Sequence, residues 1–399
     1  MCADRTTPLF SEISLSVCTM YRYSLGKSYL NSVNSVNSVI SLQTRGHALP
    51  SFASRRVASR RARARAALAP LGVDMTALHL VMRTLFRVSA RRRSFGADML
   101  GLRLPEDGGS VSVDHFDSNQ CSMTFNWPAW LCRADGQLCL ASALAVCDEA
   151  STFGMAAWDA RHRPGVSVTL SGQRVSHVPV RAGEPLTFNS RLIKGGQTLA
   201  WLHIDVSNAD GEVLATGRHL KFQPTGMPPG WDVVAHPLLR PALYAAVRYW
   251  HTRLTESTPP PFPASDASRR DNLSMTMSAD HSAADPFLTS APQLSNTAAP
   301  SAFTATMTRK YGNPGSTLHG GCAAMLCDET AAASYCAALG TDAPPAVQRM
   351  HVSLFGAVDV AKPRLVKTSA VTSAELGRSH ATLRVPGKAT PAVEADVWW

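Results

Sequence analysis

The chain has no apolar run long enough to span a membrane. Its best candidate, residues 66–88, is interrupted by Asp74, His79 and Arg83, so no spanning helix is expected. It also has no Cys-x-x-Cys pair, and its cysteines number nine, an odd count. That argues against a disulfide framework and for free thiols in a reducing compartment. His319, Cys322 and Cys327 lack a partner pair at zinc-ribbon spacing. The cysteines therefore read as small buried hydrophobes, and no metal is expected. Acidic residues are nearly missing from the first 73 positions, where Asp4 and Glu12 stand against ten Arg and Lys.

That last shortage locates the charge. Most of the formal +10 of the 399 residues lies in this leader, and the remainder is close to balance, which removes the main argument for a nucleic-acid partner. An acid-poor, Arg- and Ser-rich leader containing Arg55-Arg56, Arg60-Arg61, Arg63 and Arg65 resembles a mitochondrial transit peptide. Mitochondrial localisation is the expectation; a leader without targeting function and a nucleic-acid-binding arm are the weaker readings. The Asn-Ser-Val triplets of residues 31–39 and the later Met75 leave the start codon open.

Beyond the leader, a hydrophobic content of 45% and the chain length leave room for two or three globular domains. Residues 110–114 and 122–125 read as strands, and 140–158 is Ala-rich with helical apolar spacing. Strands follow at 167–175, 186–192, 199–206 and 213–222, with turns at Gly195-Gly196 and Asn208-Ala209-Asp210-Gly211. One helix followed by antiparallel strands predicts an α+β domain, a sheet wrapped on a helix. The span 226–299 reads as a linker with a helix over 238–254 and an otherwise disordered, Pro-, Ser- and Ala-rich remainder. From 301 the first pattern returns: a strand at 303–311, an Ala-rich helix at 320–339, and strands at 347–355, 364–374, 380–385 and 392–398. Residues 141–150 align with 321–330 at an offset of 180, laying Cys147-Asp148-Glu149 on Cys327-Asp328-Glu329. The pattern is an internal duplication, divided as leader 1–74, first domain 75–225, linker 226–299 and second domain 300–399.

Two features could carry chemistry. Asn313-Pro314-Gly315-Ser316-Thr317-Leu318-His319-Gly320-Gly321 stands immediately before the second helix. Amides of the two glycines then lie at a positive helix end, able to hold an anion or a developing oxyanion, and glycine lets a carbonyl approach the backbone. The plainer reading is a helix cap with a satisfied histidine. Asp148 and Asp328 each sit mid-helix among apolar residues, where a carboxylate costs free energy unless paired, hydrated or useful. One such residue could simply face water; its repetition in both copies argues otherwise.

Gly315-x-x-x-His319-Gly320-Gly321, with Asp328 nine residues after the histidine, resembles the hotdog acyl-CoA thioesterases of the phenylacetate-degradation type, including the small mitochondrial acyl-CoA thioesterases. In the first copy, Gly165-Val166-Ser167-Val168, residues 179–184, residues 196–201 and residues 211–222 resemble consecutive strands of that family. The resemblance implies two hotdog domains paired side by side as a fused double hotdog, with sites built from both halves. It implies Asn313, His319 and Gly320 from one half facing Asp148 and Ser167 from the other. Position by position, the first half has Arg133, Cys139, Leu140 and Ala141 where the second has Asn313, His319, Gly320 and Gly321. The second half has Val347 or Gln348 in place of the strand serine, and no His-x-Lys-Phe. One competent site is therefore expected, and the opposite one, Asp328 with Arg133 and Cys139, is expected to be inert.

The implied chemistry is hydrolysis of an acyl-CoA thioester. The Gly320 N–H with Asn313 polarises the carbonyl, Asp148 acts as base on a water or as nucleophile, Ser167 orients that water or the carboxylate, and His319 fixes the loop. A thiolate leaves without much acid help, so neither metal nor cofactor is expected. Gly321, Lys194, Arg218, His219 and Lys221 are the candidate contacts to the CoA moiety, against a plain reading of the cations as solvated charge. The family habit implies a homodimer of such chains. Two other classes compete: a degenerate hotdog that binds acyl-CoA or serves as a structural subunit of a mitochondrial assembly, and a hydratase, whose helix histidine is missing from 140–158 and 321–339.

Overall fold

The structure, a computed structural model, describes residues 75–117, 120–133, 135–158, 165–223 and 301–399, with short pieces between 245 and 279. The leader, most of the linker and most of the helix expected over 238–254 lie outside the described residues; 251–254 are helical.

The first element, α1 (Met75–Arg91), has no counterpart in the sequence reading. Met82, Phe86 and Ala90, four apart, are its buried stripe, and the Phe86 ring stands 4.5 Å from that of Phe153. A short turn, Phe95–Met99, leads on to β1 (Ser112–Phe116), β2 (Gln120–Asn126), α2 (Leu140–Trp158), β3 (Val166–Arg174), β4 (Pro185–Gly195), β5 (Leu199–Ser207) and β6 (Val213–Phe222). The second half runs β7 (Met277–Ala279), β8 (Ser301–Met307), α3 (Gly320–Leu339), β9 (Arg349–Leu354), β10 (Arg364–Ser373), β11 (Arg378–Arg384) and β12 (Val393–Trp398). The strand expected at 303–311 ends earlier, at Met307, and Arg309–Tyr311 forms a 3-10 turn instead. There the chain must leave the sheet to reach α3, and Gly312 turns so close to Val360 that a Cβ would come within 2.7 Å of its Cγ2. The first half makes the same exit at Ala129–Leu131.

Twelve strands form one sheet in the order β1-β2-β4-β5-β6-β3-β9-β12-β11-β10-β8-β7. The order reads alike from either end, β1 answering to β7 and β3 to β9. At the seam the antiparallel pair β3 and β9 is centred on Ser171 opposite His351, 180 positions apart, the same offset that relates the helices. A strand pair centred on equivalent residues is what a local two-fold axis requires. Both helices lie against this sheet and touch each other. Strand alternation supplies the apolar layer between sheet and helices: Leu202, Ile204 and Val206 of β5 are buried, while His203 and Asp205 point away. α2 is buried around its whole circumference from Leu140 to Ser151, and one apolar cluster runs through both halves. Each large side chain fully buried there contributes about 1.5–3 kcal/mol. Among the described residues, no helix is long and apolar enough to cross a membrane.

Candidate active site

The buried centre of α2 and the start of α3 meet at one carboxylate. Asp148 is 3% exposed. Its Oδ1 accepts hydrogen bonds from Ser167 Oγ at 2.8 Å and Lys221 Nζ at 3.0 Å, and lies 3.6 Å from His219 Nε2. Its Oδ2 accepts from the Gly321 N–H at 3.2 Å and lies 3.5 Å from His319 Nδ1. Burial alone would raise the pKa of this group; Lys221, His319 and His219 outweigh burial and hold it far below the usual carboxylate range.

The α3 end is built by its own sequence. His319 is the N-cap, and its Nδ1 accepts the Gly321 N–H at 3.0 Å. Its Nε2 lies 3.0 Å from Oε1 of Glu149, a buried residue of α2. With Nδ1 accepting, Nε2 carries the proton and donates it to Glu149. Burial disfavours the imidazolium, but the Asp148 and Glu149 carboxylates outweigh it and raise the histidine's basicity. The turn after α1 roofs this pair: the Phe95 ring is 5.2 Å from the His319 ring, and Gly96 leaves no room for a Cβ against Glu149. Gly320 and Gly321 are required for the same reason. A Cβ on Gly320 would stand 2.8 Å from Asp148 Oδ2, and one on Gly321 would overlap Ala145 of the facing helix.

Asp148, Ser167, His319, Gly320 and Gly321 are thus brought together, and the other candidate residues lie around or away from them. Asn313 is turned into its own loop: its Nδ2 donates to Thr317 Oγ1 at 2.7 Å and its Oδ1 accepts from the amides of Gly315 and Thr317. It organises the approach to α3 and does not touch Asp148. Lys221, 1% exposed, and His219, 0% exposed, are not at a cleft mouth. Both point to the inner face of β6, because residues two apart on a strand share a face. Arg218, the neighbour of His219 and of opposite parity, is exposed on the outer face, and Lys194 is exposed at the irregular end of β4. Gly321 is a helix-contact residue whose N–H already serves Asp148 and His319. Sequence reasoning missed Glu149 and Thr152, whose Oγ1 accepts from Lys221 Nζ at 2.7 Å; Glu149 was visible only as the neighbour of Asp148.

The equivalent place in the other half is bare. Asp328 Oδ1 is buried with no hydrogen-bond partner among the described residues. Burial first, then Glu329, push its carboxyl up to about 7, with Arg133 opposing. At the offset of 180, Val347 replaces Ser167, Ala332 replaces Thr152 and Cys139 replaces His319. Burial pushes the Cys139 thiol up to about 11, with Asp328 adding to it, so it is no thiolate nucleophile at neutral pH. Among the described residues no cluster of His, Cys, Asp and Glu could hold a metal.

No protein-family profile matches the chain. It is 36% identical over 75 residues to human acyl-coenzyme A thioesterase 13, covering 18% of this chain and 51% of that one. The chain thus spans about half the length of the curated relatives it matches. Among solved structures, zebra fish thioesterase superfamily member 2 is 23% identical, with a TM-score of 0.28, covering 32% of this chain and 92% of that one. A hypothetical thioesterase from Streptococcus pneumoniae, solved with coenzyme A, is 14% identical, with a TM-score of 0.26, covering 29% and 85%. The hotdog thioesterases are the proteins this chain resembles, as the His319-Gly320-Gly321 motif and the strand series indicate.

Proposed function

We propose that this chain hydrolyses acyl-CoA thioesters to free acid and CoA, at one composite site between its two halves. The observation that carries the reading is the Asp148 carboxylate of α2, held by Ser167 at 2.8 Å and reaching the amide of Gly321 at the start of α3 at 3.2 Å. As the first residue of α3, Gly320 has an N–H with no partner inside the helix. That amide, at the positive helix end, is suited to polarise a thioester carbonyl and to stabilise the oxyanion that follows. Asp148 is ionised throughout the working pH range. A carboxylate held so acidic is a poor acceptor of a full proton, so it acts by orienting and polarising a water or by attacking the carbonyl itself. Ser167 aims it, and His319, held by Glu149, fixes the glycine turn. The sulfur departs as a thiolate; on the water route it takes up the proton that the attacking water loses, and on the attack route a water then hydrolyses the acyl–Asp148 anhydride. The substrate class rests on the relatives' thioesterase names together with this geometry.

One observation favours a second reading, a degenerate protein that binds acyl-CoA without turnover: Asp148 itself takes the Gly321 N–H and leaves little room over Gly320. Release of free CoA from short-, medium- and long-chain acyl-CoAs separates the two. Hydrolysis that vanishes in Asp148→Asn and His319→Ala but largely survives Asp328→Asn supports the single composite site. Equal losses from both acids would sink it, and bound acyl-CoA without turnover would establish the binder. We further propose that the Arg-rich leader directs the chain to mitochondria and that two chains associate; a fluorescent leader fusion and sedimentation velocity test these separately.

A further inference from the structure

Lys221 is the least expected member of the cluster. A lysine 1% exposed is costly unless its charge is matched. Here the ammonium is seated on Asp148 Oδ1 at 3.0 Å and Thr152 Oγ1 at 2.7 Å, with Ser167 Oγ at 3.5 Å. Its stem runs past Gly165, where a Cβ would stand 3.1 Å from Lys221 Cδ. Among the described residues, the groups facing Asp148 are Lys221 and His219 from β6, Ser167 from β3, and His319 and Gly321 from α3, with Thr152 on its own helix and Glu149 behind His319. Of these, Lys221 alone brings a positive charge that does not depend on a histidine proton.

The second half supplies the comparison. Arg218 of β6 lies opposite Ser171, and Asp396 of β12 lies opposite His351, so these two positions correspond. Three residues further along each strand stand Lys221 and Trp399. Trp399 is turned to Tyr335, ring centroids 5.0 Å apart, and to Ser379 Oγ at 2.9 Å. Asp328, on the same helix position as Asp148 but with Trp399, Ala332 and Val347 at the positions equivalent to Lys221, Thr152 and Ser167, has a buried oxygen without a partner among the described residues.

We propose that Lys221 is a positioning residue, the cation that holds the Asp148 carboxylate against the Gly320–Gly321 helix end, and that the lack of a counterpart is one of the losses that leave Asp328 unaimed. The inference rests on the hydrolase reading for its effect on turnover, but its structural half does not. Without Lys221, Asp148 approaches the condition of Asp328, whose carboxyl is pushed up to about 7. The acid is then protonated near neutrality and no longer aimed.

The test compares the wild-type chain with Lys221→Met, using acyl-CoA hydrolysis across pH and the infrared carboxyl band of Asp148, assigned by its loss in Asp148→Asn. In the wild type, no protonated Asp148 band and no acid limb is expected above pH ~4. In Lys221→Met, kcat should fall roughly 10²-fold with KM within about threefold, a new acid limb should appear near neutrality, and the band should titrate there. An unchanged pH profile and an unmoved band would overturn the proposal. If the wild type hydrolyses nothing, the hydrolase reading fails, while the infrared titration still decides the role of Lys221. Should Lys221→Met not fold, Lys221→Met/Asp148→Asn should recover the fold by removing the stranded charge, and Thr152→Val should shift the band upward in part. Absence of both would equally overturn it.

Discussion

Replacing Gly321 by alanine should drive the two helices apart, and Gly320→Ala should not. The Gly321 Cβ would overlap Cα and Cβ of Ala145, both parts of a helix that packs against the sheet and has nowhere to retreat. Extra volume in such a packed contact costs about 1–3 kcal/mol, and the helix-propensity gain of alanine over glycine, at most about 1 kcal/mol, offsets only part of it. A net loss of about 1–2 kcal/mol in a chain of this size lowers Tm by roughly 2–8 °C. At Gly320 the new methyl instead meets Asp148 Oδ2 at 2.8 Å and Ser167 at 3.4 Å, side-chain atoms that can swing aside. There Tm should change by less than about 2 °C, while hydrolysis falls because the carboxylate is displaced. Thermal unfolding by circular dichroism, with CoA release measured on the same samples, decides it. An unchanged or raised Tm in Gly321→Ala would refute the close helix contact on which the composite geometry depends.

Asp328→Asn should stabilise the chain at high pH. Its folded carboxyl, pushed up to about 7 from an ordinary value of 3.8, binds protons more readily folded than unfolded. Its contribution is therefore fully present below pH ~4 and lost as pH rises toward ~7. The variant should gain up to roughly 4 kcal/mol over wild type at pH 8 and little at pH 4; urea unfolding at both pH values measures the difference, and equal gains would contradict it. Glu149→Gln should lower the titration midpoint of His319, whose basicity Asp148 and Glu149 jointly raise. Proton NMR of the ring should show it titrating above 6.5 in the wild type and lower in the variant, with KM little changed.

The helices were legible because their signal is local. Apolar spacing predicted residues 140–158 and 320–339, and α2 and α3 have those bounds. Strand ends shifted by one to a few residues, as at Ser112–Phe116, where alternation continues into turn residues. Helix α1 escaped notice because Arg83, Arg87 and Arg91 interrupt its apolar run; the spacing of Met82, Phe86 and Ala90 was the available clue. In the site, Asn313 carried a local warning: Asn-Pro-Gly-Ser is a turn sequence, and an asparagine there bonds its own loop. Lys221 and His219 share a strand face by parity, opposite to the face of Arg218, so the charge of Arg218 was the clue that they point inward. Glu149 could not. Its partner His319 comes from the other half, and nothing in either local sequence reports how the halves dock.

That docking explains why the decay of the duplicated copies is one-sided. Cys139, Leu140 and Ala141 stand where the donors for Asp328 would be, and Val347, Ala332 and Trp399 where its serine, threonine and lysine would be. The first three lie in one half of the chain and the last three in the other, yet all six occupy positions equivalent to the partners of Asp148. Losses without functional constraint would fall on both sites alike. Here Asp148 keeps Ser167, Thr152, Lys221, His319 and both glycines, again drawn from both halves. A folding requirement alone would not draw that line, because a buried carboxylate needs compensation equally at either end of a two-fold axis. The line is the one expected when each half is maintained only for what it gives to a single shared site.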